Sequence, residues 1–223
     1  MTVNGTITAT GVMMVLLLVA AAFGWASGPD LATGRVQFPA TAMIGVVVGF
    51  ICAIAVSFKP MMARVLGPIY AIAEGFFLGA ISKAYNETQN GIVVQAVGAT
   101  LGVFLVMLVL YRTQIIKVTD RFRRIVIGAT VGLMVFYLVS FVIGLFGSGV
   151  SFLSSPSLFG IGFSLFAAGL AAMNLALDFD FIEKGSKAGL PKGMEWFAAF
   201  GLLVTLVWLY LELLRLLSKL NQR

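Results

Sequence analysis

The sequence predicts an all-α integral membrane protein, a bundle of seven transmembrane helices, and three observations carry that expectation. Of its 223 residues, 60% are hydrophobic and only 11% are charged. The mean hydropathy is +1.04. The apolar residues gather into seven stretches, each close to the 20 or so residues that a helix needs to cross a hydrocarbon core of about 30 Å. A water-soluble chain of this length could not keep so much apolar surface from solvent, so lipid is the solvent for most of it.

The stretches run over roughly 8–27, 41–58, 66–86, 92–112, 125–147, 157–183 and 194–218. No basic residue precedes the first, which therefore lacks the charged leader of a secretory signal and reads as a retained span. The second holds Cys52, the single cysteine, so no disulfide forms within the chain. The third carries Glu74 midway, in Ile-Ala-Glu-Gly-Phe-Phe. The fourth and fifth are joined by the most basic connector. The sixth ends in Leu-Asp-Phe-Asp-Phe, with Asp178 and Asp180, and the seventh carries Glu212 late, in Tyr-Leu-Glu-Leu-Leu-Arg. Short connectors leave no room for a second soluble domain, so residues 1–223 read as a single transmembrane domain. Gly45/Gly49, Gly75/Gly79, Gly98/Gly102 and Gly128/Gly132 are spaced four apart, as in flat strips where helix backbones approach closely.

The net charge of +6 reflects topology rather than a nucleic-acid partner, because the basic residues sit between the spans. Lys59, Arg64, Arg112, Lys117, Arg121, Arg123, Arg124, Lys184, Lys187 and Lys192 fall in the second–third, fourth–fifth and sixth–seventh connectors. The alternate connectors hold only Arg35 and Lys83. The positive-inside rule thus places the N-terminus in the cytoplasm of a plasma membrane. Arg215, Lys219 and Arg223 dissent: they would end outside unless the last helix fails to cross fully.

Chemistry is restricted by what is missing. There is no histidine, which removes imidazole metal ligands and the Ser-His and Cys-His nucleophile pairs. A lone cysteine makes no transition-metal cluster. No Gly-x-Ser-x-Gly occurs, the Gly-Asp context of aspartyl intramembrane proteases is lacking, and no lysine lies midway along the last span to hold retinal. The expectation is a protein that is not an enzyme and holds no cofactor.

Nine acids remain to be weighed. Asp30, Glu87 and Asp120 lie in connectors, Glu183 precedes Lys187 by one helical turn, and Glu195 opens the last helix, where the helix dipole favours a carboxylate. Glu74, Asp178, Asp180 and Glu212 are different. A carboxylate carried to a helix centre costs roughly 2.5–3.5 kcal/mol on insertion scales, so such residues face a bundle interior or a water path. Loss of water also favours the neutral form of a carboxylic acid, which permits titration without histidine.

Depth decides which of them can meet. Counting from Arg64, Lys184 and Met194 as marks of the cytoplasmic face, Asp178 lies about 9 Å deep, Glu74 about 15 Å and Glu212 about 27 Å. Asp178 and Glu74 share a level with Asn174 and with Thr205 of the last helix. Glu212 belongs near the far interface, beside Arg215. Asp178 and Asp180 are about 200° apart around their helix, so Asp178, which shares a face with Asn174, is expected inside and Asp180 at the headgroups. A helix-end acid snorkelling to the interface remains the alternative for Asp178, and an interhelical hydrogen bond the alternative for Glu74.

At these residues the sequence resembles the transmembrane Bax inhibitor motif family, in its bacterial YccA-like branch and its actinobacterial members in particular. The resemblance lies in Gly-Pro-Ile-Tyr-Ala-Ile-Ala-Glu-Gly-Phe-Phe-Leu-Gly (67–79), in Asp-Phe-Asp-Phe-Ile-Glu (178–183), and above all in residues 194–217, Met-Glu-Trp-Phe-Ala-Ala-Phe-Gly-Leu-Leu-Val-Thr-Leu-Val-Trp-Leu-Tyr-Leu-Glu-Leu-Leu-Arg-Leu-Leu. It implies a bundle whose C-terminal helix is central and wrapped by the other six, and a pH-dependent calcium leak in a bacterial inner membrane. It further implies a proton-sharing pair of aspartates, one on each of the last two helices, and an arginine lock on the sixth-helix acid. Asp178 matches the first aspartate. The second position is occupied by Glu212 in one alignment and by Thr205 in another, with depth favouring Thr205, so Glu74 becomes the candidate second acid and Arg64 the candidate lock.

The function expected is therefore a pH-sensitive cation (calcium) leak channel or ion sensor gated by acids near the cytoplasmic end of the sixth span, with lipid and cations as its partners. The alternative is a non-conducting interaction protein that modulates a membrane protease, its basic connectors forming the docking surface.

Overall fold

A computed structural model describes residues 1–28, 39–145 and 155–222. Asp30 and Arg35 of the first connector, and Arg223, lie outside the described residues. Among the described residues seven long helices make up the architecture: α1 (Val3–Ala26), α2 (Ala40–Phe58), α3 (Ala63–Thr88), α4 (Ile92–Arg112), α5 (Asp120–Leu145), α6 (Leu158–Lys187) and α7 (Gly193–Asn221). Each is long and apolar enough to cross a membrane. A 3₁₀ turn, Pro60–Met62, leads into α3.

Hydroxyl caps set three helix starts, and at α1 and α5 they carry the helix ahead of its apolar stretch. Thr2 caps α1 through a 3.0 Å bond from the Gly5 N–H to its hydroxyl, Thr119 caps α5 at 3.2 Å from Phe122, and Ser157 caps α6 at 3.1 Å from Gly160. Each hydroxyl satisfies a donor that the helix itself leaves without an acceptor. The α5 start therefore includes Asp120 and the basic residues that follow, which hydropathy alone assigns to a connector. Beyond α6 the chain reverses at Gly189, whose φ of +64° suits a residue without Cβ.

The chain divides into two compact units. The first comprises Met1–Val93 and Phe181–Val204, and the second Val94–Asp180 and Thr205–Arg223. In the first unit α3 packs against both α1 and α2. Small residues make this possible. A Cβ on Gly75 would lie 2.7 Å from the Ala20 Cβ, and one on Gly79 would lie 2.6 Å from the Trp25 nitrogen. On α2, a Cβ at Gly49 would come within 3.0 Å of the Glu74 Oε2. Of the four glycine pairs, those on α2 and α3 are thus packing strips. Gly98, Gly102, Gly128 and Gly132 have open space where a Cβ would go, so the α4 and α5 pairs pack against nothing described.

Further contacts tie this unit together. The Met1 ammonium donates to the Leu190 carbonyl. Glu195, in the first turn of α7, accepts from the Thr2 N–H at 2.8 Å and from its hydroxyl at 3.0 Å. One carboxylate therefore serves the positive ends of two helix dipoles and joins the starts of α1 and α7. Tyr70 meets Phe200 edge-on at 4.9 Å.

In the second unit α5 and α6 interlock through Val126, Leu133, Ala167 and Leu170, flanked by Phe122, Phe136, Phe163 and Trp208. The α7 helix is the most buried of the seven, over 56% of its most apolar window against 17–50% elsewhere.

Gly79→Leu is expected to cost about 1–3 kcal/mol by overpacking the α1–α3 contact, read as a lower melting temperature in detergent. Gly102→Leu, facing open space, should leave the melting temperature unchanged.

Candidate functional site

A line of polar side chains runs between α6 and α7 in the second unit. Residues seven apart on a helix share a face, because two turns take about 7.2 residues. Ser164, Ala171 and Asp178 are so spaced on α6, and Thr205, Glu212 and Lys219 on α7. At one end of the line the Thr205 hydroxyl hydrogen-bonds the Asp178 carboxylate. At the other, the Lys219 ammonium donates to the Ser164 hydroxyl at 2.8 Å and to the Gly160 carbonyl at 2.9 Å. Both pairs obey one antiparallel register, which sets Glu212 opposite Ala171. Asp178 and Ser164 are separated by about 21 Å along α6, so the seam covers most of a hydrocarbon core.

Each layer has its own electrostatics. Asp178 is half-buried as a residue, but its Oδ2 is sealed and has no hydrogen-bond partner among the described residues. Asn174, one turn away, donates to the Thr130 hydroxyl at 2.8 Å and to the Leu170 carbonyl at 2.9 Å. Glu212 is 1% exposed. Its Oε1 accepts from the Tyr137 hydroxyl at 2.8 Å, the Trp208 indole at 3.2 Å and Arg215 at 3.0 Å, and its Oε2 from Arg215 at 2.9 Å. The Arg215 guanidinium also bonds the Tyr137 hydroxyl at 3.1 Å and lies 5.5 Å from the centre of its ring. Lys219 is 2% exposed and holds neutral oxygens.

Several expectations meet their structure here. Asp178 faces Thr205, and Glu212 is engaged by Arg215. Asp180 departs from its expected place at the headgroups: it is 4% exposed and accepts a 2.6 Å bond from Arg123 in the first turn of α5. The reason is that α6 is packed on two sides. Asp178 turns toward α7 and Asp180 toward α5, so a separation of about 200° hides both. The arginine bonded to a sixth-helix acid is thus Arg123, on Asp180, whereas Arg64 is exposed on α3. Glu74, half-buried, belongs to the first unit, against Gly49 of α2 and near Tyr70 one turn earlier. Lys219 with Ser164, and the support from Thr130, Tyr137 and Arg123, went unread in the sequence. The repeated spacing of seven on both helices was the available signal.

Among the described residues no group of three acidic or cysteine side chains could hold a metal ion.

Arg215→Met would leave the sealed Glu212 carboxylate without its counter-charge, at an expected cost of about 3–5 kcal/mol. Adding Glu212→Gln should recover most of that loss. Unfolding of the two variants in detergent checks this, and equal losses would show that the ion pair is not coupled.

Among curated proteins none matches the chain. The family model described as Bax inhibitor 1 like matches residues 1–222, and the chain, with its seven membrane-length helices, belongs to that family.

Proposed function

We propose that the protein is a pH-sensitive cation leak, not an enzyme, in a bacterial plasma membrane, with its N-terminus in the cytoplasm and its conduction set by the protonation of Asp178. Membership of a family often linked to ion leak supports the class of activity. One observation carries the assignment to a residue: a carboxyl group whose Oδ2 is sealed and without a partner among the described residues, on a polar seam that covers most of a hydrocarbon core. The groups that face or flank it in this unit are the Thr205 hydroxyl from α7, Asn174 on its own helix, and Asp180 with its Arg123 partner. An ionised Asp178 supplies a negative charge that draws a cation into the seam. Protonation removes it. Calcium is the ion that the resemblance to the YccA-like, actinobacterial branch implies, and Glu74 is the acid of the first unit to test beside Asp178.

In liposomes the cation flux is therefore expected to rise with pH. Asp178→Asn should hold the flux at its acid level throughout. Equal flux from this variant and the wild type at every pH would remove Asp178 from the gate.

A second reading rests on the exposed side chains of Arg112, Lys117, Arg121 and Arg124 around the α4–α5 connector. They would form the docking surface of a non-conducting protein that modulates a membrane protease. Absence of flux from folded protein, together with co-purification of a protease, would favour it.

A further inference from the structure

The interior carboxylates of the second unit are each held by an arginine, with one exception. The acids of this unit are Asp120, Asp178, Asp180 and Glu212. Asp120 is exposed in the first turn of α5. Asp180 is held by Arg123 at 2.6 Å, and Glu212 by Arg215 at 2.9 Å. Farther along the seam Lys219 adds a sealed positive charge, held by a hydroxyl and a carbonyl. Asp178 is left as the one interior carboxylate of this unit without a cationic partner among the described residues. The oxygen ligands beside it are the Thr205 hydroxyl and, one turn away, the Asn174 amide oxygen, whose NH₂ group is committed to Thr130 and Leu170.

We infer that the seam is selective for monovalent cations, protons or sodium, over calcium. This deepens the leak reading and rests on it. A calcium ion surrenders six to eight water oxygens and asks for several carboxylates in return. Asp178 with one hydroxyl and one amide oxygen offers a single negative charge. That balances a monovalent ion and leaves a divalent one uncompensated in a medium of low dielectric, where the deficit is expensive. Lys219, ahead on the same face of α7, opposes a divalent ion about twice as strongly as a monovalent one at any given distance. The neutral partner at position 205 is thus the determinant of selectivity: it keeps the pair on α6 and α7 at one charge rather than two.

Thr205→Asp would supply the missing carboxylate opposite Asp178, and Asn174→Asp would supply it from α6 should the first variant not fold. Two measurements separate the inference from the leak reading. In liposomes carrying sodium, proton or calcium gradients, wild-type protein should pass monovalent ions at least about tenfold faster than calcium, and either added aspartate should raise the calcium flux. In detergent, calcium should leave the melting temperature of wild-type protein unchanged and raise that of the variants. Wild-type calcium flux equal to or above the sodium and proton fluxes overturns the selectivity and leaves the leak intact. If no ion passes at all, the leak reading fails and the melting experiment decides alone. A calcium-dependent rise in the wild-type melting temperature that Asp178→Asn abolishes, or variants that gain no calcium response while folded, overturns the inference.

Discussion

Hydrocarbon offers a polar side chain no partner, so a hydroxyl, amide or charge that a helix carries into the membrane must be met within the protein, by its own helix or by another. The α6–α7 register depends on that constraint. Asp178 takes Thr205, Lys219 takes Ser164 and Gly160, and the heptad spacing between these layers lets both sets of bonds form in one alignment. Sliding α7 by a single residue would turn Thr205, Glu212 and Lys219 away by about 100° and leave three buried polar groups unmet. The α5 helix completes the arrangement: Thr130 accepts from Asn174 and Arg123 holds Asp180 on α6, while Tyr137 donates to Glu212 on α7.

The same constraint accounts for the charges that run against the positive-inside pattern. Arg215 is committed to Glu212 and Tyr137, and Lys219 is bonded into the first turns of α6. Neither presents the free interfacial charge on which the topology rule depends. A continuous α7 of 29 residues extends about 43 Å, so it needs no break to accommodate them.

The parts of this arrangement that were legible in the sequence are those governed by a fixed helical geometry. Hydropathy located the seven helices to within a few residues, and it failed at the starts of α1 and α5, where Thr2 and Thr119 extend the helix into polar sequence. Helical rise set Asp178 level with Thr205 and held Glu212 two turns away beside Arg215. Contacts between helices distant in sequence were not legible. Nothing local distinguishes Arg123 from Arg121 or Arg124, yet Arg123 alone of the three is bonded to Asp180. Glu195 read as an ordinary first-turn acid, and its reach to Thr2, 193 residues earlier, comes only from the packing of α1 beside α7. The four glycine pairs look alike as patterns, but only on α2 and α3 does a neighbouring backbone or side chain occupy the space that the missing Cβ leaves.

Since α6 and α7 supply every layer of the seam, its chemistry follows from their register more than from any one residue. Moving Asp178 opposite Glu212 would create two facing carboxylates and a different ion site. Paired cysteines test the register most directly. In a Cys52→Ala background, Asp178→Cys with Thr205→Cys should form a disulfide under mild oxidation, whereas Asp178→Cys with Glu212→Cys, about 10.5 Å farther along α7, should not. A disulfide from the second pair and none from the first would contradict the account.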